Sequence, residues 1–447
     1  MHNEQRGGDK SMKMSWTIGL TLWFFLFSWP AWAQDSKDLL TLEESIKIAL
    51  ERSLKLHSAT EGIVGSEFRQ KAARTDFFPK WTGQYLYSKY NTASSYTGTS
   101  GASSAIASKD YFNFSTSVTQ PLFSGGSIYS NYRLEKIGVD VSRADLETVK
   151  KDLVLQVREG YFNILKAEKF LVVAQQAVKQ FEAQLEVTKA FFEVGIVPKN
   201  DLLQAEVRLA NARQGLVKAE NDLAVAKASF NILLRREVSD PLSVVDILEY
   251  KPFPLRFEES LEEALRQRPE IKSAELKVAQ ATEGVRIAKS GFFPVISLSG
   301  TYNKLSEEPG LAGDLRTERW NVQALATFTL WEWKKTAYKV GESKVKVTQA
   351  EDSKSQLIDG VIFEVKQDYL NLLTAEKNIG VGEKAVEQAE ENLRMNEERY
   401  KYQVATATDV LDAVTLLAQA RVNYYSALSD FNIAKARLER AMGRMYP

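Results

Sequence analysis

The chain has 447 residues, 44% of them apolar and 26% charged, and its 58 basic residues balance 58 acidic ones. That composition excludes a disordered chain and a strongly basic nucleic-acid binder. With no cysteine and two histidines, His2 and His57, it also excludes a disulfide framework, a cysteine nucleophile and a histidine-rich metal site.

Arg6, Lys10 and Lys13 precede an apolar run over 16–27, and Pro30 is followed by Ala31-Trp32-Ala33. A basic start, a short apolar core and small residues around a cleavage point predict a secretory signal peptide over 1–33. The run falls short of the roughly 20 residues that a spanning helix needs, which argues against an uncleaved anchor. The length of the basic segment would also suit a start at Met12 or Met14. No cysteine follows Ala33 to carry a lipid, and no later apolar run approaches spanning length. A membrane domain in the mature chain therefore has to be a closed barrel.

From residue 34 the chain reads as one unit over 34–236. An amphipathic helix carrying Glu43-Glu44 at its start runs to Phe77-Phe78-Pro79. Strands are expected at about 81–90 and 111–123. In the second, Phe112, Phe114, Thr116 and Val118 alternate with Asn113, Ser115, Ser117 and Thr119. A Ser-, Gly- and Ala-rich loop over 91–110 separates them. From about 126 to 194 the pattern is helical without a proline, on the order of 100 Å at 1.5 Å per residue. Val157, Ile164, Leu171, Val178, Leu185 and Phe192 mark every seventh position, and after a turn Leu202, Leu209, Leu216, Leu223 and Phe230 continue the column. Beside them run Ala205, Ala212, Ala219 and Ala226. A sustained seven-residue repeat is a coiled-coil seam, and alanine within it lets backbones approach closely.

A Pro-bearing linker over 237–255 leads to a second unit over 256–447 that repeats the first. Phe77-Phe78-Pro79 returns as Phe292-Phe293-Pro294, offset by 215 residues. Farther on, Tyr161-Phe162-Asn163-Ile164-Leu165 returns as Tyr369-Leu370-Asn371-Leu372-Leu373, offset by 208. One segment between Pro79 and Leu122 is thus seven residues longer in the first copy. Strands are expected at about 295–303 and 319–331; from Trp320 to Leu330 apolar and polar residues alternate. The heptad column returns as Val365, Leu372, Ile379, Val386, Leu393 and Tyr400, then Val410, Leu417, Tyr424, Phe431 and Leu438. Ala413, Ala420, Ala427, Ala434 and Ala441 accompany it.

Strands of about ten residues with one apolar face, and long polar loops at one end, suit an outer-membrane barrel. One chain offers four such strands, and a closed barrel needs about eight or more. Two chains would barely leave room for side chains inside; three would give twelve strands and an open pore, with twelve long helices to wall a tube.

This duplicated pattern resembles the TolC-like outer-membrane efflux family over essentially the whole mature chain. Val194-Gly195-Ile196-Val197-Pro198-Lys199-Asn200-Asp201-Leu202-Leu203-Gln204-Ala205 is similar to the family's first helical tip. The segment from Tyr400 through Ala405-Thr406-Ala407-Thr408-Asp409-Val410-Leu411-Asp412-Ala413 is similar to the second. The resemblance implies a mainly α fold with membrane β: a homotrimer forming a long coiled-coil helical barrel in the periplasm and a twelve-stranded transmembrane β-barrel, four strands per chain, in outer-membrane lipid. It implies an exit duct for small molecules or proteins in efflux or type I secretion, docked through a periplasmic adaptor to an inner-membrane pump of RND, ABC or MFS type. A trimeric coiled-coil spacer or adhesin is the competing reading; a stalk has no need of matched alternating hairpins.

The resemblance also assigns roles at the tips. Asp409 and Asp412, three apart on one helical face, would form carboxylate rings at the periplasmic entrance, favouring cations and raising one another's pKa in a trimer. Asp409 is equally placed to cap a helix start. Asp201 and Tyr400 match positions that hold the tip closed by inter-helix hydrogen bonds. Gly195, Ile196 and Val197 match the adaptor-docking turn. The family's latch arginine is here Ala405 and its usual glycine Gln403, with Arg399 and Lys401 nearby. No nucleotide loop, catalytic constellation, cofactor motif or metal-ligand pattern occurs, and His57 reads as structural or exposed, so an enzyme is not expected.

Overall fold

The computed structural model describes residues 39–91, 95–97, 103–105, 110–306, 309 and 317–444. The expected signal peptide over 1–33 lies outside the described residues, as do most of the two polar loops.

The chain begins with β1 (Leu39–Leu40) and α1 (Leu42–Arg52). Thr41 and Glu44 close a capping box at the start of α1: the Glu44 amide donates to the Thr41 hydroxyl and the Thr41 amide to the Glu44 carboxylate. Ser53 interrupts the helix in an extended conformation, and its hydroxyl caps α2 (Leu54–Thr75). The single helix expected before the strands is therefore two. The same break recurs in the second copy. There Arg268 stays extended ahead of a proline, dividing α5 (Phe257–Gln267) from α6 (Pro269–Lys289).

Four strands form one antiparallel sheet: β2 (Lys80–Lys89), β5 (Asp110–Ser124), β7 (Val295–Ser306) and β8 (Thr317–Thr327), in the order β2-β5-β7-β8. The register sorts the two faces into rows. Trp81, Val118, Gly300 and Val322 lie side by side, and so do Gly83, Thr116, Tyr302 and Trp320. The rows that alternate with them are Thr82, Ser117, Thr301 and Asn321, and Gln84, Ser115, Asn303 and Arg319. One face is thus aromatic and aliphatic and the other polar, as a barrel with lipid outside and water inside requires. Trp81, Trp320 and Val322 are 81%, 78% and 67% exposed. The sheet register shifts between Pro121 and Phe123, a bulge at the strand proline, which has no amide hydrogen to give a ladder. Two differences from the sequence reading stand out. The first loop contains a small hairpin, β3 (Ser95–Thr97) with β4 (Ser103–Ala105). And β8 ends at Thr327 rather than 331, because the chain then leaves the sheet to enter a helix through left-handed residues.

The rods are equal in the two copies: α3 (Ser127–Glu193) and α7 (Lys335–Lys401) have 67 residues each, α4 (Lys199–Leu233) and α8 (Ala407–Ala441) 35 each. Along α3 and α7 the heptad columns are buried or half-buried. On α8 the alanine column is buried throughout, because α8 packs against both α7 and α3. On α4, packed chiefly on α3, only Ala205 of the matching column is buried. Leu203, Val207, Val217, Val225 and Ile232 form an exposed apolar stripe along α4, and Phe363, Leu370, Val381 and Met395 form another along α7.

The eight described residues with left-handed backbone fall in pairs 208 residues apart: Gly125 with Trp333, Gly126 with Lys334, Gly195 with Gln403, Arg235 with Gly443. These are the junctions between sheet and rod, the tips, and the ends of the short rods. At Gly125 a Cβ would sit 2.5 Å from the Ser290 carbonyl oxygen, so no side chain fits. Trp333 and Lys334 keep the same backbone turn at a cost of about 1–2 kcal/mol each.

Midway along the rods, β6 (Ser243–Val244), from the segment joining the copies, pairs in parallel with β1. The Tyr161 hydroxyl of α3 donates to Val245 O at 2.7 Å and Leu40 O at 3.1 Å, holding this clasp against the rod. The joining segment is therefore part of the packed core. Arg158 and Glu439 form an ion pair at 2.5 Å between α3 and α8, both less than a tenth exposed.

Candidate functional site at the hairpin tips

The α3–α4 tip is closed by backbone geometry. Gly195 takes φ 78°, its amide donating to Phe192 O at 3.0 Å and that of Ile196 to Phe191 O at 2.8 Å. Pro198 then starts α4, with Asp201 in its first turn. Val194 and Ile196 are exposed. The α7–α8 tip uses the same turn with Gln403 at φ 60°: its amide meets Tyr400 O at 3.0 Å, and that of Val404 meets Arg399 O at 2.8 Å.

Asp409 closes a capping box at the start of α8. Its carboxylate accepts from the Thr406 amide and hydroxyl, both at 2.8 Å, while its own amide donates to the Thr406 hydroxyl at 3.2 Å. The bond from the Thr406 amide, then that from its hydroxyl, hold this exposed carboxyl below its ordinary pKa. Within one chain the shift is thus opposite to the rise that a ring of like charges would produce. Asp412 is also exposed, and it is not alone: Arg208 Nη2 of α4 donates to it at 2.8 Å. One turn nearer the tip, the Thr408 hydroxyl donates to the Gln204 side-chain oxygen at 2.9 Å. These two bonds tie α4 to α8.

Tyr400 is 3% exposed and packs its ring 5.3 Å from that of Phe191. Its hydroxyl lies 3.3 Å from Thr188 Oγ1, and Gln184 Nε2 donates to the same Thr188 oxygen at 3.4 Å. The expected bond from Tyr400 to Asp201 is therefore not made within the chain; the phenol points back along α3 to a hydroxyl in the tip core. Burial, then the charge of Asp201, raises the Tyr400 pKa, and the Thr188 bond opposes them. Asp201 thus acts on Tyr400 through its field. Arg399 lowers the Asp409 pKa by its charge, and Lys401 pairs with Glu398 at 3.1 Å on its own helix.

Reading the sequence brought Asp409, Asp412, Asp201 and Tyr400 to the tips but missed Arg208, Gln204, Thr408 and Thr188. A signal was there: 204 and 208, like 408 and 412, are four apart, so each pair lies on one face of its helix. His57 is exposed on α2. Among the described residues no three potential ligands come close enough to hold a metal, and no helix is long and apolar enough to cross a membrane.

Comparison with known proteins accounts for both halves. The chain is 25% identical over 304 residues to the outer membrane protein TolC of Vibrio cholerae serotype O1, covering 66% of this chain and 68% of the relative. It is 22% identical over 409 residues to the outer membrane efflux protein BepC of Brucella suis biovar 1, covering 91% and 86%. The fold superposes on the Campylobacter jejuni CmeC outer membrane channel with a TM-score of 0.79, covering 90% of this chain and 85% of that one at 19% identity. The model of the outer membrane efflux protein family matches twice, over 45–234 and 260–444, once in each repeat. The chain belongs to that family: it is an exit duct of the bacterial outer membrane, with its helical part in the periplasm.

Proposed function

We propose that three copies of this chain close into one duct, a twelve-stranded barrel continued by a tube of twelve rods, and that the α3–α4 and α7–α8 tips form its periplasmic entrance. The supporting observation is the open sheet. Among the described residues β2 and β8 each have a neighbour on one side only. In lipid every unpaired backbone group costs several kcal/mol, so these edges need partners from other chains. The exposed stripes on α4 and α7 need covering as well. Two chains would give eight strands, too few for a passage; three give a pore.

In this assembly Asp409 and Asp412 of each chain approach the axis. The Thr406 bonds favour the charged form of Asp409. Asp412 contributes less field, since Arg208 sits against it. Tyr400, Thr188, Arg208 and Gln204 hold the hairpins together, and the Gly195-Ile196-Val197 turn faces the adaptor of an inner-membrane pump. The chain carries no nucleotide-binding loop, so the pump supplies the energy and the duct is passive.

Two measurements test this reading. The detergent-corrected mass of protein extracted from outer membranes should be that of three chains; a stable monomer would overturn the closed barrel. Asp409→Ala with Asp412→Ala should reduce cation selectivity in planar bilayers, and unchanged selectivity would remove the carboxylates from the entrance.

A further inference from the structure

The two copies differ most sharply where the sheet enters the rods. In the first copy the turn is Ser124-Gly125-Gly126-Ser127, uncharged and free of large side chains. In the second, the same backbone carries Glu332-Trp333-Lys334-Lys335, preceded by Trp331 where the first copy has Phe123 and followed by Tyr338 and Lys339 where it has Ser130 and Asn131. Three of these side chains work against the local fold. Trp333 and Lys334 adopt φ 53° and 62°, where the first copy has glycine. Lys335 stands in the first turn of α7, which has no acidic residue, so its charge opposes the helix dipole. Trp331, Trp333 and Tyr338 are 70%, 80% and 69% exposed. Glu332, the one acid in the segment, accepts the Thr336 amide at 2.7 Å and so closes the helix end. Among the described residues Lys334, Lys335 and Lys339 make no ion pair. The first copy, with Ser124, Gly125, Gly126 and Ser127, shows that the turn folds without the side chains of Trp333, Lys334 and Lys335.

Their position identifies what would meet them. Trp320, Val322, Ala324 and Ala326 lie on the apolar face of β8, and between the strand's end and the turn Phe328 and Leu330 are exposed as well. The patch is therefore continuous with the lipid-facing side of the barrel, at the end where the rods begin. Indoles prefer the depth between acyl chains and headgroups. Lysines immediately beside them select phosphate-bearing lipid with net negative charge. Lys335 and Lys339 share a helix face one turn apart, with Tyr338 beside them.

We propose that this junction binds an anionic phospholipid of the periplasmic leaflet, the rings of Trp331 and Trp333 lying against its glycerol and upper acyl chains and Lys334, Lys335 and Lys339 meeting its phosphate. The proposal rests on the outer-membrane location and on the closed barrel proposed above, and does not depend on the entrance carboxylates.

The test uses full-length protein cleaved after Ala33, with Trp81→Phe and Trp320→Phe, so that Trp331 and Trp333 are the only indoles left. It is reconstituted in phosphatidylcholine vesicles containing the same minor mole fraction of brominated phosphatidylglycerol or of brominated phosphatidylethanolamine, and indole quenching is read. The expected result is about fivefold more effective quenching by the anionic lipid, as lysines at a membrane surface imply, falling with added salt. Lys334→Gln/Lys335→Gln/Lys339→Gln in the same background should bring both lipids to one level, while the three Lys→Arg changes keep the difference. Equal quenching by the two lipids in the Trp81→Phe/Trp320→Phe protein would overturn the proposal and leave an unselective aromatic girdle. Weak quenching by both would overturn it too, placing the patch outside the bilayer.

Discussion

Cutting the ties between α4 and α8 should open the tip. The perturbation is Arg208→Ala together with Gln204→Ala. The first removes a 2.8 Å ion pair with Asp412 whose side chains are 42% and 60% exposed. At such exposure it contributes about 0.5 kcal/mol. The second removes the 2.9 Å bond from Thr408, an exposed neutral bond of about 0.5 kcal/mol. The loss is about 1 kcal/mol per chain. If three chains open together the closed state loses about 3 kcal/mol, a shift of roughly a hundredfold between closed and open. The assay is single-channel recording in planar bilayers, scoring the fraction of time in the high-conductance level. Arg208→Asp with Asp412→Arg restores the pair in reverse and should return the channel toward its resting distribution. A double alanine variant that assembles normally and whose open fraction changes less than twofold would refute the argument. The α4–α8 bonds would then be ornaments of a tip held shut by its apolar core.

Other predictions concern the rods. Glu439→Ala removes the buried carboxylate that pairs with Arg158 and should cost about 3 kcal/mol, seen as a lower thermal midpoint of the detergent-solubilised protein. Asp368 of α7 is pushed up to about 6, first by burial and then by the charge of Glu364. The folded chain therefore holds a proton there that the unfolded chain releases near pH 4, and stability contributed by this group is present below about pH 4 and lost as pH rises toward 6. Because the site is partly solvated the effect is about 1 kcal/mol, and Asp368→Asn should remove it from a plot of unfolding midpoint against pH. Gln403→Gly should stabilise by up to about 1 kcal/mol and Gly195→Ala should destabilise by a similar amount, since both positions are left-handed; equal midpoints for both variants and the parent would contradict the strain.

The rods were legible because their signal is periodic and long. Val157 to Phe192 and Val365 to Tyr400 repeat every seven residues, and no local detail disturbs that count. The strands were legible by alternation and the capping role of Asp409 by its place at a helix start, since capping is a local matter. What escaped depends on contacts between distant segments. The pairing of β5 with β7 joins residues nearly two hundred apart, and nothing in either strand names its partner. The β1–β6 clasp is two residues long on each side, too short for any period. Arg208 finds Asp412 only once α4 has packed beside α8. Tyr400 turned to Thr188 rather than Asp201 because a phenol in the heptad column points into the core, and the nearest acceptor there lies on α3.

The duplication explains the backbone better than it explains the side chains. All four left-handed pairs survive at a constant offset, and the rods have equal lengths, so the two copies keep one path. Burial does not follow the same symmetry. Glu439 meets a buried arginine, while its counterpart Asn231 donates to the carbonyls of Val238 and Asp240. Gly160 admits the Phe230 ring so closely that a Cβ would stand 2.8 Å from it, while its counterpart is Asp368. The alanine column is covered on α8 and half bare on α4. Two identical repeats would have the same surroundings only if each met the other on both sides. In one chain α8 has two neighbouring rods, and α4 has α3 with an exposed stripe turned away from it. A chain that stopped there would leave apolar stripes on α4 and α7 in water and two sheet edges in lipid. The proposed ring of three removes all of these exposures with a single contact repeated around the axis, because the open side of each repeat pair is offered the open side of the next.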